Sequence, residues 1–491
     1  MRLFVSTRNK ENVVCSKEAI IQGLAKDGGL YTPRELNDIK IDLNKCLDFN
    51  YHQLATYILS KIFDDFTEEE IRICVSNAYT NSFKKDDVIA VTKIGKDFLL
   101  ELYHGPTSAF KDVALTILPH LLSAAYKDYN KNKKIYILTA TSGDTGKAAL
   151  EAFKDVKNTY ITVFYPKDGV SEIQKRQMNT TKGNNVDVVS VAGNFDDCQK
   201  LVKTIYEDSE IHEIYKNVQL SSANSINIGR LIPQVVYYFK AYSSLVKDKS
   251  IKFAEKVNFI VPTGNFGDIL AGYIAKLIGC PINKLVCASN KNSVLVDFIN
   301  TGIYDINRKF YNTMSPSMDI LISSNLERLL FMLSNFDDKK IKQYMDDLKT
   351  KGRYEIDKKM LNKLQQSFVG IYASEIECSK AMYRAFHEDN RLIDPHTAIA
   401  YHASNKYMDN YKNIILATAS PFKFPNSVLS SIFDKFVKDE KIAIGELAQL
   451  SKEEVPSNLK EIYKLEILHD KTINIDEGRN YVIERIKELN D

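Results

Sequence analysis

An α/β fold is predicted by two features of the chain. Short β-branched or aromatic runs each pass through a turn into a helical pattern, and no fixed-period repeat or low-complexity tract interrupts this alternation. A parallel sheet flanked by helices follows. The clearest units are KIYILTATSGDTGKAALEAF from Lys134, TYITVFYP from Thr159, VDVVSVAG from Val186 and VNFIVPTGNFGDILAGYIAKLIG from Val257, with KLVCASN and NIILATAS further on. At 491 residues the chain exceeds what one core usually serves, so two or three domains are expected. The first roughly 90 residues read as helix-rich, and the charged stretch of about 334–380 reads as a helical insertion.

Composition removes several classes of function. Lys plus Arg total 66 against 63 for Asp plus Glu, and this near balance leaves no footprint for nucleic acid. The seven cysteines form no CxxC pair and have no histidine at metal spacing, so neither a disulfide framework nor a zinc site is expected, and a cytoplasmic setting fits. The N-terminus lacks an apolar signal region, and no run approaches the roughly 18–20 apolar residues of a bilayer span, so no membrane partner is expected.

Chemistry concentrates at a few turns. In ELYHGPTSAFKDVALTILPHLL from Glu101, Lys111 lies near the start of a predicted helix among Ala109, Phe110, Val113, Ala114 and Leu115. Desolvation there favours the neutral amine that condenses with an aldehyde, although spacing alone also allows an ordinary solvated lysine. Gly264, Asn265, Phe266 and Gly267 lie between a strand and a helix, where glycines and a helix N-terminus gather N–H donors for a phosphate; a simple tight connection is the alternative.

A second such turn spans Thr141, Ser142, Gly143, Asp144 and Thr145 and suits a carboxylate or phosphate. It is not a nucleotide P-loop. Ahead of Gly146-Lys147 that motif needs a glycine where Thr141 stands, and after them a Ser or Thr where Ala148 stands. Ser225, Asn227 and Arg230 precede and open an apolar helix, where a guanidinium fork with Ser and Asn could cage a phosphate; a capped helix with an exposed arginine is the plainer reading. Thr418 ends a strand, placing a hydroxyl at its tip. Asp394-Pro395-His396-Thr397 reads as a helix start with Asp394 as N-cap, and His104 lies beside the lysine segment.

Several of these segments resemble threonine synthases, which belong to fold-type II of the pyridoxal-phosphate enzymes. HGPTSAFKD resembles that family's cofactor-lysine motif, PTGNFGDILAG its phosphate loop, NSIN with the following arginine its substrate segment, and STRN, GLAKDGGLYTP and SPSMDILISSNLERLL further family text. The resemblance implies a tryptophan synthase β-like architecture, with two open α/β domains, the cofactor in the cleft and an N-terminal helical region. The expected division is 1–90 as that N-terminal domain, 91–133 with 251–491 as the large cofactor domain, and 134–250 as a smaller substrate domain.

On the same resemblance, Lys111 holds pyridoxal 5'-phosphate as a Schiff base and acts as the proton carrier. Gly264, Asn265, Phe266 and Gly267 take the cofactor phosphate with Asp268 beside it, and Thr418 meets the pyridine nitrogen. Thr141, Ser142, Gly143, Asp144 and Thr145 take the substrate carboxylate, and Ser225, Asn227 and Arg230 its phosphate. The implied reaction converts O-phospho-L-homoserine and water into L-threonine and phosphate, in a monomer or homodimer. The family's usual histidine and alanine are replaced by Ser420 and Phe422, whereas Lys423 and Phe424 match. The alternatives are another fold-type II lyase, such as a threonine or serine dehydratase, and a non-catalytic relative.

Overall fold

The computed structural model describes residues 1–83, 88–129, 134–141, 143–168, 170–206 and 208–490. Its centre is two sheets. The larger has six strands in the order Phe368–Tyr372, Ile282–Ser289, Val257–Pro262, Lys412–Ala417, Asp97–Glu101, Ala90–Ile94, parallel except for the last, antiparallel pair. The smaller has five parallel strands in the order Thr472–Ile473, Val186–Val191, Thr159–Pro166, Lys134–Ala140, Val218–Ser221.

The sequence explains this choice of pairing. VNFIVP is buried at every position, and a strand covered on both faces belongs in a parallel sheet between helices. Each candidate site segment then leaves the C-terminal end of a parallel strand, where open α/β sheets collect ligands. Gly264 follows the strand ending at Pro262, Thr141 the one ending at Ala140, and Thr418 the one ending at Ala417. Ser225 follows the strand ending at Ser221, and Lys111 lies beyond the strand Asp97–Glu101.

Five features go beyond what the sequence pattern specified. The N-terminal region is helix-rich but begins with a three-stranded antiparallel sheet of Phe4–Ser6, Asn9–Val14 and Tyr31–Pro33; these strands are too short and separated for their alternation to stand out. Phe4 and Tyr51 share one continuous core with Leu100 and Phe259, so this region packs onto the main body. The charged insertion is not wholly helical, because Phe368–Tyr372 inside it forms an edge strand of the larger sheet.

The C-terminal tail packs with the smaller sheet. Thr472–Ile473 pairs with Val186–Val191, and Tyr481, Val482 and Ile486 of helix Gly478–Asn490 enter the core of the smaller sheet. Helix Val235–Lys247 packs against the larger sheet: the Tyr238 ring centre lies 4.7 Å from that of Phe259, and its hydroxyl donates to the carbonyl of Asp268 at 2.9 Å. The helix expected after Lys111 breaks into Lys111–Leu115 and Leu118–Tyr129. Pro119 cannot donate to the carbonyl of Leu115, and the Thr116 hydroxyl bonds back to the carbonyl of Asp112 at 2.8 Å.

Candidate active site

Lys111 opens its short helix beside the end of the strand Lys412–Ala417. The N–H of Phe110 donates to the carbonyl of Thr418 at 2.8 Å, and that of Ser420 donates to Ser108 at 3.1 Å, stitching the lysine segment to the Thr418 strand tip. Asp112, fully buried behind the lysine, accepts the Thr107 N–H at 2.8 Å and its hydroxyl at 2.6 Å. Gly105 is required by that carboxylate: a Cβ there would stand 2.5 Å from Asp112 Oδ2. The ammonium of Lys111 lies 4.8 Å from the Phe110 ring centre. Burial pushes its pKa down to about 8; Asp144 opposes the fall, while Arg230 and Lys423 assist it.

The larger sheet supplies the turn Gly264–Gly267 before helix Gly267–Leu277. Phe266 adopts φ of 61°, turning the chain sharply with its ring 5.6 Å from that of Phe368. Ser323 Oγ donates to the Gly264 carbonyl at 2.8 Å, and both Asn325 N and Nδ2 donate to the Asn265 carbonyl at 3.1 Å. The carbonyls are thus held from behind. The N–H groups of Gly264, Asn265, Phe266 and Gly267 have no protein acceptor among the described residues. Successive free donors at a helix N-terminus form an anion cradle.

Asp268, behind this cradle, accepts at Oδ1 from Tyr237 at 2.5 Å and Tyr238 at 2.8 Å, while its Oδ2 has no partner among the described residues. Burial raises its pKa to about 6, with the tyrosines and Lys111 opposing. Neither the tyrosines nor Ser323 and Asn325 are marked by local pattern. Their role follows from strands and helices far apart in sequence.

The turn of the smaller sheet is built differently. The Thr141 hydroxyl accepts the N–H groups of Gly143 at 3.0 Å and Gly146 at 2.9 Å, so it shapes the turn itself. Ser142 lies outside the described residues, and Thr145 is half-buried. Asp144 Oδ1 accepts Gln174 Nε2 at 2.8 Å and meets Lys423 Nζ at 2.7 Å. That pair joins the two sheets, and its side chains are 0 % and 3 % exposed. Burial alone would raise the Asp144 pKa, but Lys423 and Lys111 overcome it and hold the carboxyl well below the usual range. Nothing in the local sequence around Lys423 marks this partner, which lies 279 positions from Asp144.

Ser225 lies against the larger sheet's turn: a Cβ on Gly267 would be 3.7 Å from that of Ser225. Arg230 is buried, not exposed, and one of its nitrogens donates to the Ala223 carbonyl at 2.8 Å. Burial pushes its pKa down to about 10, and no carboxylate pairs with it among the described residues. Asn227 is held within the protein. Its carboxamide caps the helix at Gly229 N and donates to the carbonyls of Ile20 and Ser222, which leaves no N–H for a ligand.

The Thr418 side chain is buried, and its hydroxyl has no protein partner among the described residues. His104 pairs with Glu101 at 2.8 Å and so belongs to the strand end, not to the cluster around Lys111. No group of three or more His, Cys, Asp or Glu side chains among the described residues is placed to hold a metal ion, and no helix there is long and apolar enough to cross a membrane.

A lysine with a depressed pKa, an anion cradle on the neighbouring strand's end and a buried arginine without a carboxylate partner among the described residues together suit a phosphorylated aldehyde. Comparisons with known proteins agree. The family profile "Threonine synthase N terminus" matches residues 3–79, "Pyridoxal-phosphate dependent enzyme" residues 93–413, and "Threonine synthase, C-terminal" residues 397–473. Threonine synthase of Saccharomyces cerevisiae is 35% identical, with 92% of this chain and 93% of that protein covered. Human threonine synthase-like 1 is 37% identical over 89% of this chain, which spans 61% of that protein's length.

Among solved structures, pyridoxal-phosphate-bound threonine synthase from Brucella melitensis superposes with a TM-score of 0.88 at 35% identity, over 99% of each chain. The yeast enzyme gives 0.87 at 33% identity, again over 99% of each. With family text at both ends and the catalytic core between them, the chain belongs to the threonine synthase family of fold-type II pyridoxal-phosphate-dependent enzymes.

Proposed function

We propose that this protein is a threonine synthase that binds pyridoxal 5'-phosphate and converts O-phospho-L-homoserine and water into L-threonine and phosphate. The observation that carries the reading is the position of Lys111, stitched through the Phe110 N–H to the Thr418 strand tip, beside the strand whose end carries the free N–H row of Gly264–Gly267. The residues fit the cofactor: the free N–H row of Gly264–Gly267 suits its phosphate, Lys111 its aldehyde, and the unpartnered Thr418 hydroxyl its ring nitrogen. When bound, pyridoxal phosphate supplies an electron sink for charge that develops on the carbon bearing the substrate's amino group.

The chain's own residues do the rest. Lys111, with a pKa of about 8, is neutral often enough near neutral pH to take the Cα proton and basic enough to carry it onward. Arg230 holds the substrate phosphate with Ser225 beside it, its guanidinium uncommitted to any protein carboxylate among the described residues. The turn Thr141–Thr145 receives the substrate carboxylate through its backbone, while the Asp144 side chain remains with Lys423. Engagement of the two sheets excludes bulk water from the reacting carbons.

We amend the domain division by assigning residues 472–490 to the substrate-binding unit with the smaller sheet. We further place the protein in the cytoplasm, where its seven free, buried cysteines remain reduced, as a monomer or homodimer without a nucleic-acid or membrane partner. The deciding experiment incubates purified, cofactor-loaded protein separately with O-phospho-L-homoserine and with free threonine. Threonine and phosphate released together from the first support the reading. Keto acid from the second would assign a dehydratase instead, and cofactor binding without turnover of either a non-catalytic relative.

A further inference from the structure

Asp394 and His396 lie outside the residues given to ligands above. Asp394 is fully buried and caps helix Pro395–Lys406 by accepting the N–H of His396 at 2.9 Å and of Thr397 at 3.3 Å. A cap requires nothing more. Yet the same carboxylate also meets Nδ1 of His396 at 2.7 Å and accepts the hydroxyl proton of Thr397.

Each of those two bonds leads on to one end of the cofactor site. His396 Nε2 accepts the N–H of Ser317 at 3.2 Å, so the ring's proton resides on Nδ1 and is donated to Asp394. The ring is buried and packed edge-on against Phe424 at 4.9 Å. Ser317 in turn forms the wall behind the phosphate turn, its carbonyl oxygen standing 2.8 Å from where a Gly264 Cβ would lie. In the other direction, the Thr397 hydroxyl accepts the N–H of Thr418 at 3.3 Å. One carboxylate therefore braces both the Gly264 turn and the Thr418 strand tip.

We propose that Asp394 and His396 are positioning residues that fix the separation between the Gly264 turn and the Thr418 hydroxyl to match the length of the cofactor. The proposal rests on the assignment of those two sites to the phosphate and ring ends of pyridoxal phosphate. The cofactor is a rigid ring with a short arm, so anchors at its two ends bind it together only when their spacing is held. A helix cap alone gives no reason for the carboxylate to carry His396 as well, nor for His396 to reach Ser317.

The test titrates stripped, full-length apoprotein with pyridoxal phosphate, alongside thermal melts of the apoprotein. His396→Leu is expected to weaken binding roughly tenfold while leaving the Asp394 cap and the melting temperature nearly unchanged, and His396→Gln, whose carboxamide oxygen can take the Ser317 N–H, is expected to restore most of it. Asp394→Asn preserves a good N-cap but removes the charge, so weaker binding with a shifted visible absorbance is expected even if the leucine variant fails to fold. Adding His396→Leu to Gly264→Ala should weaken binding little beyond Gly264→Ala alone, because both act through the same turn.

Wild-type affinity in His396→Leu and Asp394→Asn, with Gly264→Ala weakened, overturns the proposal and leaves the site assignment standing. Wild-type affinity in Gly264→Ala overturns the assignment itself, and the proposal with it.

Discussion

The two glycine-rich turns look alike in sequence but are held in opposite ways. Gly264–Gly267 is braced from behind by Ser323, Asn325 and Ser317, and its acid Asp268 lies between two tyrosines. Thr141–Thr145 is shaped by its own threonine hydroxyl, and its acid Asp144 reaches across to Lys423 on the other sheet. The first turn is preorganised by packing, and the second is completed by an ion pair between sheets. A turn of the first kind suits a resident group, and one of the second suits a group that comes and goes.

Replacing the lysine of the candidate site should have the largest effect. Lys111→Ala is expected to lower turnover at least about 10³-fold and to abolish borohydride trapping of the cofactor, because it removes both the amine and the proton carrier. Turnover within tenfold of wild type, measured by phosphate release, would show that the turns serve some other chemistry.

Next comes the link between the sheets. Lys423→Met strands a buried carboxylate and is expected to destabilise the protein by roughly 3–5 kcal/mol in denaturant unfolding at pH 7. Asp144 has a depressed pKa when paired, so its contribution is present above the ordinary carboxylate range and is lost as pH falls below it. Without Lys423, burial dominates and the sign reverses. The deficit of Lys423→Met should therefore shrink between pH 7 and pH 4, and an equal deficit at both values would contradict the ion-pair account.

The turns can also be separated by adding one carbon to each. Gly264→Ala meets a backbone oxygen at 2.8 Å and should weaken cofactor binding tenfold or more. Gly143→Ala meets the Gln174 side chain at 2.6 Å with φ of 149°, so its damage should fall on substrate KM, with cofactor affinity nearly kept. Identical profiles for the two variants would erase the distinction. The smallest effect concerns protonation. Lys111 must be neutral to condense with an aldehyde, so the rate of cofactor uptake by apoprotein should rise about tenfold from pH 7 to pH 9 with a midpoint near 8. A midpoint near that of an ordinary lysine would mean the amine is solvated.

How far the sequence could be read depended on distance along the chain. The strand-turn-helix units, the Asp394 cap and the Gly264 turn were legible because φ preferences, capping and hydrophobic period act within a few residues. The strand Thr472–Ile473 was not, since two residues carry too little pattern to declare a partner nearly three hundred positions away. Asn227 is ambiguous in sequence for a related reason. Its residue type suits both a ligand cage and a cap, and only the Ile20 and Ser222 carbonyls beside it decide between them.

By itself, the sequence determined the parallel α/β class, the turns that offer N–H groups and the lysine set in an apolar stretch, because each is a local consequence of side-chain shape and polarity. Only the tertiary structure decided which charges meet. It set Lys423 against Asp144, left Arg230 without a carboxylate among the described residues, and placed one carboxylate behind both ends of the site. Electrostatic and hydrogen-bond partners act through space at a few ångströms, and chain order says little about which residues the packed sheets will bring that close.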